Sequence, residues 1–182
     1  MSKRRGLNAG ILVLAAMLGT ASIAVADLDT GIDPPHWAAK QMKSSGIEMW
    51  PGDDSGAPYI VSRHLPTYMV EGDFDGDSKT DIALLVRRKA DEKFGIAVLL
   101  RAGTKAQILG AGERFGNGGL DFRWMDTWSA RGEDDFTKKA RSAWKGAQPK
   151  TKRDGLVVAK SGSPRGLIVY DGSKFVWYPP TG

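Results

Sequence analysis

Gly72-Asp73-Phe74-Asp75-Gly76-Asp77-Ser78-Lys79-Thr80-Asp81-Ile82-Ala83-Leu84-Leu85-Val86 is the stretch on which the reading of this chain turns. Its aspartates fall at relative positions 1, 3, 5 and 9, and an unbroken apolar run follows the last of them. Carboxylates at every second position of a tightly wound loop can all point at one centre. Four like charges so close together repel one another unless a cation neutralises them. Calcium suits such a set, because it is a hard cation that takes about 6–8 oxygens at about 2.3–2.6 Å. The apolar run has the length and composition of a buried strand, so the loop reads as a cation-binding turn that opens into a β-sheet.

The same pattern extends outward. Residues 68–70 lead into the loop as a strand. Residues 87–93 are a charged turn and 94–101 a second apolar run, so 82–86 and 94–101 are expected to pair as a hairpin. Residues 105–109 read as a further strand. The glycine-rich stretch 110–119 has neither P-loop nor dinucleotide spacing and is expected to be a flexible surface loop. Residues 122–129 read as a strand with Phe122, Trp124, Asp126 and Trp128 on one face. Residues 133–145 form a short helix or polar connection, with Asp134 and Asp135 ahead of Lys138, Lys139 and Arg141 in the order a helix dipole favours. Three strands close the chain at 155–160, 167–170 and 174–178. Their tight connections, the second being Asp171-Gly172-Ser173, make an antiparallel meander.

Upstream, residues 36–44 read as a helix with Asp33 as cap, prolines in the first turn and Gly46 as terminator. Residues 51–58 are a loop rich in breakers. The fold class expected is mostly β (α+β), a compact antiparallel sheet or sandwich with one or two short helices. Residues 27–66 would supply an N-terminal helix and loop packed on the β domain 67–182, with 27–182 as one folding unit.

A helix–loop–helix EF-hand does not explain the aspartates. Its twelfth position would be Leu84 where a bidentate glutamate is needed, and the flanks are strand-like. The stretch resembles instead the calcium loop of the FG-GAP/VCBS repeat family, roughly Gly-Asp-x-Asp-Gly-Asp-Gly-x-x-Asp before a hydrophobic strand. Gly72, Asp73, Asp75, Gly76, Asp77, Asp81 and Ile82 match it. The resemblance implies bound Ca2+, with Asp73, Asp75, Asp77 and Asp81 as side-chain ligands and Lys79 giving its backbone oxygen. Ser78 departs from the pattern, which has glycine there to allow positive φ; serine is expected to add strain and weaken affinity. A β-propeller needs the motif in several blades, and a single copy excludes a full propeller. Small periplasmic proteins of this general kind include lysozyme inhibitors and immunity proteins, an analogy that transfers no inhibitory residue to this chain.

Residues 1–26 read as a cleavable signal peptide. Lys3, Arg4 and Arg5 form a basic start, residues 11–18 are apolar, and Ala24-Val25-Ala26 offers a small–x–small site before Asp27. The apolar stretch is shorter than the roughly 20 residues that span a bilayer, so no stable membrane insertion is expected after cleavage. A periplasmic or secreted location follows. Cysteine is absent, which excludes disulfides and a lipid-modified N-terminus.

Removing the 26-residue leader leaves 156 residues and lowers the formal net charge from +5 to +2. That near balance gives no case for nucleic acid. The basic runs Arg87-Arg88-Lys89 and 150–153 read as solvated turns.

No catalytic residue is assigned and the chain is expected not to be an enzyme, since it has no cysteine and only two histidines, His36 and His64. The expected role is that of a calcium-binding protein whose partner is another envelope protein, such as a hydrolase that it inhibits. The alternatives are a glycan or peptidoglycan module using tryptophans such as Trp124, Trp128 and Trp177, and a hydrolase dependent on His64 or Asp126.

Overall fold

Residues 81–86 are buried without a break, because both faces of the strand they form are covered. The computed structural model describes residues 33–49, 56–142, 150–163 and 165–178. Strand β4, Asp81–Arg88, is the centre of the first of two sheets. Along one edge of β4 lie β2 (Tyr59–Val61), against residues 86–88, and β3 (Met69–Gly72), against 81–84. The other edge pairs antiparallel with β5 (Phe94–Leu99), Ile82 opposite Leu99 and Arg87 opposite Phe94. This is the expected hairpin. β6 (Gln107–Gly110) continues the sheet beyond β5, and β1 (Ile47–Glu48) runs parallel to β2. The N-terminal segment therefore contributes strands to the sheet as well as a helix and loop.

The second sheet is an antiparallel meander. It comprises β7 (Thr127–Gly132), β8 (Asp154–Ala159), β9 (Gly166–Tyr170) and β10 (Phe175–Tyr178), in the order β10-β9-β8-β7. The protein is thus mostly β, with ten strands and two α-helices among the described residues and neither a closed barrel nor a propeller.

Alternation along each strand sorts the apolar residues into layers. Ala83, Leu85, Ile96, Val98 and Leu109 face inward and meet Trp128, Leu156, Val158, Ile168 and Phe175 of the second sheet. Ile82, Leu84, Val86, Ala97 and Leu99 face outward and meet Ala38 and Met42 of α1 (His36–Ser44). On the far side, Leu167, Val169 and Tyr178 are covered by Phe136 and by Ala140 of α2 (Lys138–Ser142). The layers run helix, sheet, sheet, helix. Each fully buried aliphatic side chain contributes about 1.5–3 kcal/mol, so this double coverage explains why β4 carries no polar alternation.

Two local expectations are corrected. Helix α1 spans the expected 36–44, but Pro35 and not Asp33 stands at its N-cap, without a side-chain cap bond, and both prolines precede its first turn; Ser45 caps its end, with Gly46 following at φ 65°. Residues 122–129 are not one strand. The Asp121 carboxylate accepts the amides of Arg123 and Phe94, each at 3.0 Å, and winds Phe122–Trp124 into a 3-10 turn before β7 begins at Thr127. Trp124 folds back on Phe122 with ring centroids 6.0 Å apart, while Trp128 enters the core and donates its indole N–H to the Thr67 carbonyl at 2.7 Å.

The glycine-rich stretch lies at the surface as expected, with Glu113, Arg114, Gly116 and Asn117 exposed. Part of it is packed: a 3-10 turn, Gly116–Gly118, lies against Phe122 and Trp177, and a Cβ at Gly118 would stand 2.4 Å from the Phe122 ring. Close approach to aromatic rings explains Gly116 and Gly118, and positive φ suits Gly112 and Gly119 to glycine.

Among the described residues no helix is long and apolar enough to cross a membrane. The leader at 1–26 and its cleavage point lie outside the described residues.

Candidate metal centre

The loop between β3 and β4 is wound by its own carboxylates. Asp75 Oδ1 accepts the Asp77 amide at 3.0 Å, Asp77 Oδ1 the Lys79 amide at 2.9 Å, and Asp73 Oδ2 the Ser78 amide at 2.9 Å. Aspartate turns of this kind replace backbone–backbone bonds that so tight a loop cannot make. Two residues adopt left-handed backbone, Gly76 at φ 77° and Ser78 at φ 71°. Ser78 thus takes the conformation for which glycine is suited, at a cost of about 1–2 kcal/mol.

Two anchors hold the loop to the core. Phe74 is fully buried between the sheets, and Asp81 is fully buried at the start of β4. Asp81 Oδ2 accepts the Phe74 amide at 2.8 Å, and its Oδ1 accepts the Arg101 amide at 2.7 Å. One carboxylate therefore ties both ends of the turn to the end of β5.

A third anchor comes from the far side of the chain. The Gly76 carbonyl accepts the Lys150 amide at 2.7 Å, and the Thr151 hydroxyl donates to Asp73 Oδ2. Asp73 and Asp154 exchange bonds: the Asp154 amide donates to the Asp73 carbonyl at 2.7 Å and the Asp73 amide to Asp154 Oδ2 at 2.9 Å. The loop is thereby stitched to the segment that becomes β8 of the second sheet. Nothing in Lys150-Thr151-Lys152-Arg153-Asp154 announces this, and its basic run reads as solvated. Arg153 is instead 1% exposed, a correction to that reading.

The fold brings three of the sequence candidates together. Asp73, Asp75 and Asp81 each offer a carboxylate oxygen, and these oxygens lie within 4.8 Å of one another. Two oxygens on one calcium, each at about 2.3–2.6 Å, stand no more than about 5 Å apart, so the spacing fits the ion. Asp73 Oδ1 supplies an independent sign, being a buried oxygen with no hydrogen-bond partner in a cluster of like charge. Asp77 and Lys79 are placed differently. The Asp77 carboxylate turns outward to the Lys79 ammonium at 3.1 Å, and Lys79 is largely exposed.

Electrostatics agree with the geometry. Burial pushes the Asp81 carboxyl up to about 6; the Arg101 amide opposes it and the Asp75 charge adds to it. Burial likewise raises Asp75, with the charges of Asp77 and Asp73 adding to the shift against the Asp77 amide. Asp77 is lowered, since its bonds and proximity to Lys79 outweigh burial. The three clustered carboxylates can hold a divalent cation, which would supply the missing charge compensation.

The residues of the other two readings are engaged elsewhere. His64 Nδ1 lies 2.9 Å from the Ser62 hydroxyl, and its ring meets Phe94 edge-on at 4.4 Å. Ser62 is 8% exposed. Asp126 accepts the Ser161 amide at 2.9 Å through both oxygens. Trp124 and Trp177 pack edge-to-face on one another at 6.4 Å, and Trp124 donates its indole N–H to the Gly118 carbonyl at 3.0 Å.

Fold and donor set define a two-sheet, mostly β protein with a candidate cation centre at the joint between its sheets. Comparison with protein-family models, with curated proteins and with solved structures finds no match to the chain.

Proposed function

We propose that the protein is an exported, calcium-binding, non-enzymatic binding protein whose partner is another protein of the envelope, a hydrolase that it inhibits or neutralises in the manner of an immunity protein. The observation that carries the calcium reading is the convergence of Asp73, Asp75 and Asp81 around the buried, unpartnered Asp73 Oδ1. The likeness of residues 72–82 to FG-GAP/VCBS loops and the signal-like leader support the ion and the address. The ion's role is structural: it neutralises the loop and locks β3, β4 and the approach to β8 in register. Burial of Ser62, whose hydroxyl meets His64 but is shielded from a substrate, supports a binding role over a nucleophilic one.

The test is thermal unfolding of the mature protein in excess chelator and in millimolar calcium, alongside inhibition of peptidoglycan hydrolysis by envelope extracts. A ligand of the native state raises the midpoint by mass action, by about 2.7 kcal/mol at a hundredfold excess over Kd. An unchanged midpoint in metal-free protein overturns the calcium reading. Unaltered hydrolysis together with failure to retain any envelope protein overturns the partner.

A further inference from the structure

On the outer face of the first sheet, beside the start of α1, a pocket of about 460 Å³ is lined by residues including Trp37, Glu71, Lys79, Thr80, Ile82 and Arg101. The register explains how these residues meet. Glu71 of β3 lies opposite Ile82 of β4, and Ile82 opposite Leu99 of β5. Leu99 belongs to the outer layer and Leu100 to the inner one, so alternation returns Arg101 to the outer face. Ile82, fully buried, lies beneath the pocket, and Trp37 supplies its accessible apolar wall. The Arg101 guanidinium stands 4.8 Å from the centre of the Trp37 ring, a cation–π contact that holds it at the pocket wall.

The pocket carries both signs of charge. Glu71 and Arg101 are both exposed and carry opposite charge on one cavity, yet neither forms an ion pair with the other or with any other described residue. Lys79 adds a second positive charge, shared with Asp77 at 3.1 Å. An anion alone would face Glu71, and a purely apolar ligand would desolvate both charges without compensation. A ligand with both charges and an apolar group satisfies all of the walls at once.

We infer that this pocket binds a zwitterion of amino-acid or short-peptide chemistry. Its ammonium would pair with Glu71, its carboxylate with Arg101 and Lys79, and its apolar side chain would rest on Trp37. The volume lies within the range of about 300–1,000 Å³ typical of small-ligand pockets. The inference goes beyond the cation centre and does not depend on it.

Titration calorimetry on the mature protein tests it with four probes: leucine, leucyl-leucine, N-acetyl-leucine and leucinamide. Binding of leucine identifies a free amino acid as the ligand, and binding of leucyl-leucine alone identifies a peptide. In either case loss of one charge from leucine or from the peptide should weaken binding about tenfold or more, the usual worth of a charge-assisted contact. Glu71→Gln should erase discrimination against N-acetyl-leucine, and Arg101→Gln that against leucinamide, both variants melting as the wild type does. Absence of binding by both zwitterions up to about 10 mM, an affinity of only a few kcal/mol, overturns the inference. So does equal binding of the charged and blocked probes. The calcium-dependent melting shift, measured on the same samples, reports separately on the cation.

Discussion

Two aspartate turns in this molecule solve the same problem in opposite ways. Between β9 and β10, Asp171 is 7% exposed, and its Oδ1 accepts the Ser173 amide, the Ser173 hydroxyl and the Lys174 amide at 2.9, 2.8 and 3.0 Å. Burial presses its pKa upward, but those donors and the Lys174 charge outweigh it and hold the carboxyl below its ordinary value. Between β3 and β4 burial outweighs the donors and pushes Asp75 and Asp81 up instead, with neighbouring carboxylate charges adding to the shift. What separates the two turns is whether burial and like charges outweigh the donors, not the number of aspartates.

That contrast can be broken by mutation. The largest effect is expected at Asp81→Ala, which strands the buried amide of Phe74 and the part-buried amide of Arg101 as well as removing a proposed ligand. A loss of about 2–3 kcal/mol in urea unfolding, with or without calcium, follows from one buried and one part-buried donor left unmet. A loss under about 1 kcal/mol would show that Asp81 is no anchor. Next comes Asp75→Ala, whose carboxylate accepts only the neighbouring Asp77 amide among the bonds described. It should abolish the calcium-induced rise in melting temperature while leaving stability in chelator nearly unchanged, because the lost repulsion offsets the lost bond. A rise equal to that of the wild type would remove the ion from the loop. Asp171→Ala should cost about 1–2 kcal/mol equally in calcium and in chelator; a calcium-dependent cost would mean that the two turns are coupled.

Acidity separates the turns further. The Asp81 carboxyl titrates near 6 in the folded chain against 3.8 unfolded, so the folded state holds the extra proton between those values. Its contribution to stability is therefore greatest below the lower value and is lost as pH rises through about 6. Asp171, lowered, contributes above the unfolded value and loses that contribution as pH falls through its folded one. In chelator, the wild type should accordingly gain stability relative to Asp81→Ala between about pH 7 and pH 5, and the calcium response should shrink over the same range because the ligands must be ionised. Melting curves at the two pH values decide it; a calcium response that grows on acidification would contradict the assignment. The smallest effect is expected at Ser78→Gly, which relieves left-handed backbone at φ 71° and should stabilise the protein by about 1 kcal/mol.

Much of the fold was legible because it is local. Residues 82–86 could be read as a strand from five consecutive apolar side chains, and the C-terminal meander from its tight turns. The helix at 36–44 and its stop at Gly46 were equally plain from the flanking prolines and glycine. The segment 122–129 misled because its alternation has a strand's period, while the competing Asp121 cap is held by the Phe94 amide, 27 residues away. The packing of Gly116 and Gly118 in the surface stretch 110–119 was hidden because glycine signals freedom in a chain but can mean close contact with a ring in a fold, as at Phe122 and Trp177.

The sequence by itself determined the spacing of the aspartates and therefore the kind of ion they suit, since both depend only on neighbours along the chain. Tertiary structure alone decided which of them converge. Asp77 is drawn off by Lys79, Asp81 is buried by the sheet, and Asp73 is clamped by Thr151 and Asp154 from a strand whose sequence carries no sign of it. Ligand types are written in the covalent chain, whereas their desolvation and their distances are set by whatever long-range packing places against them.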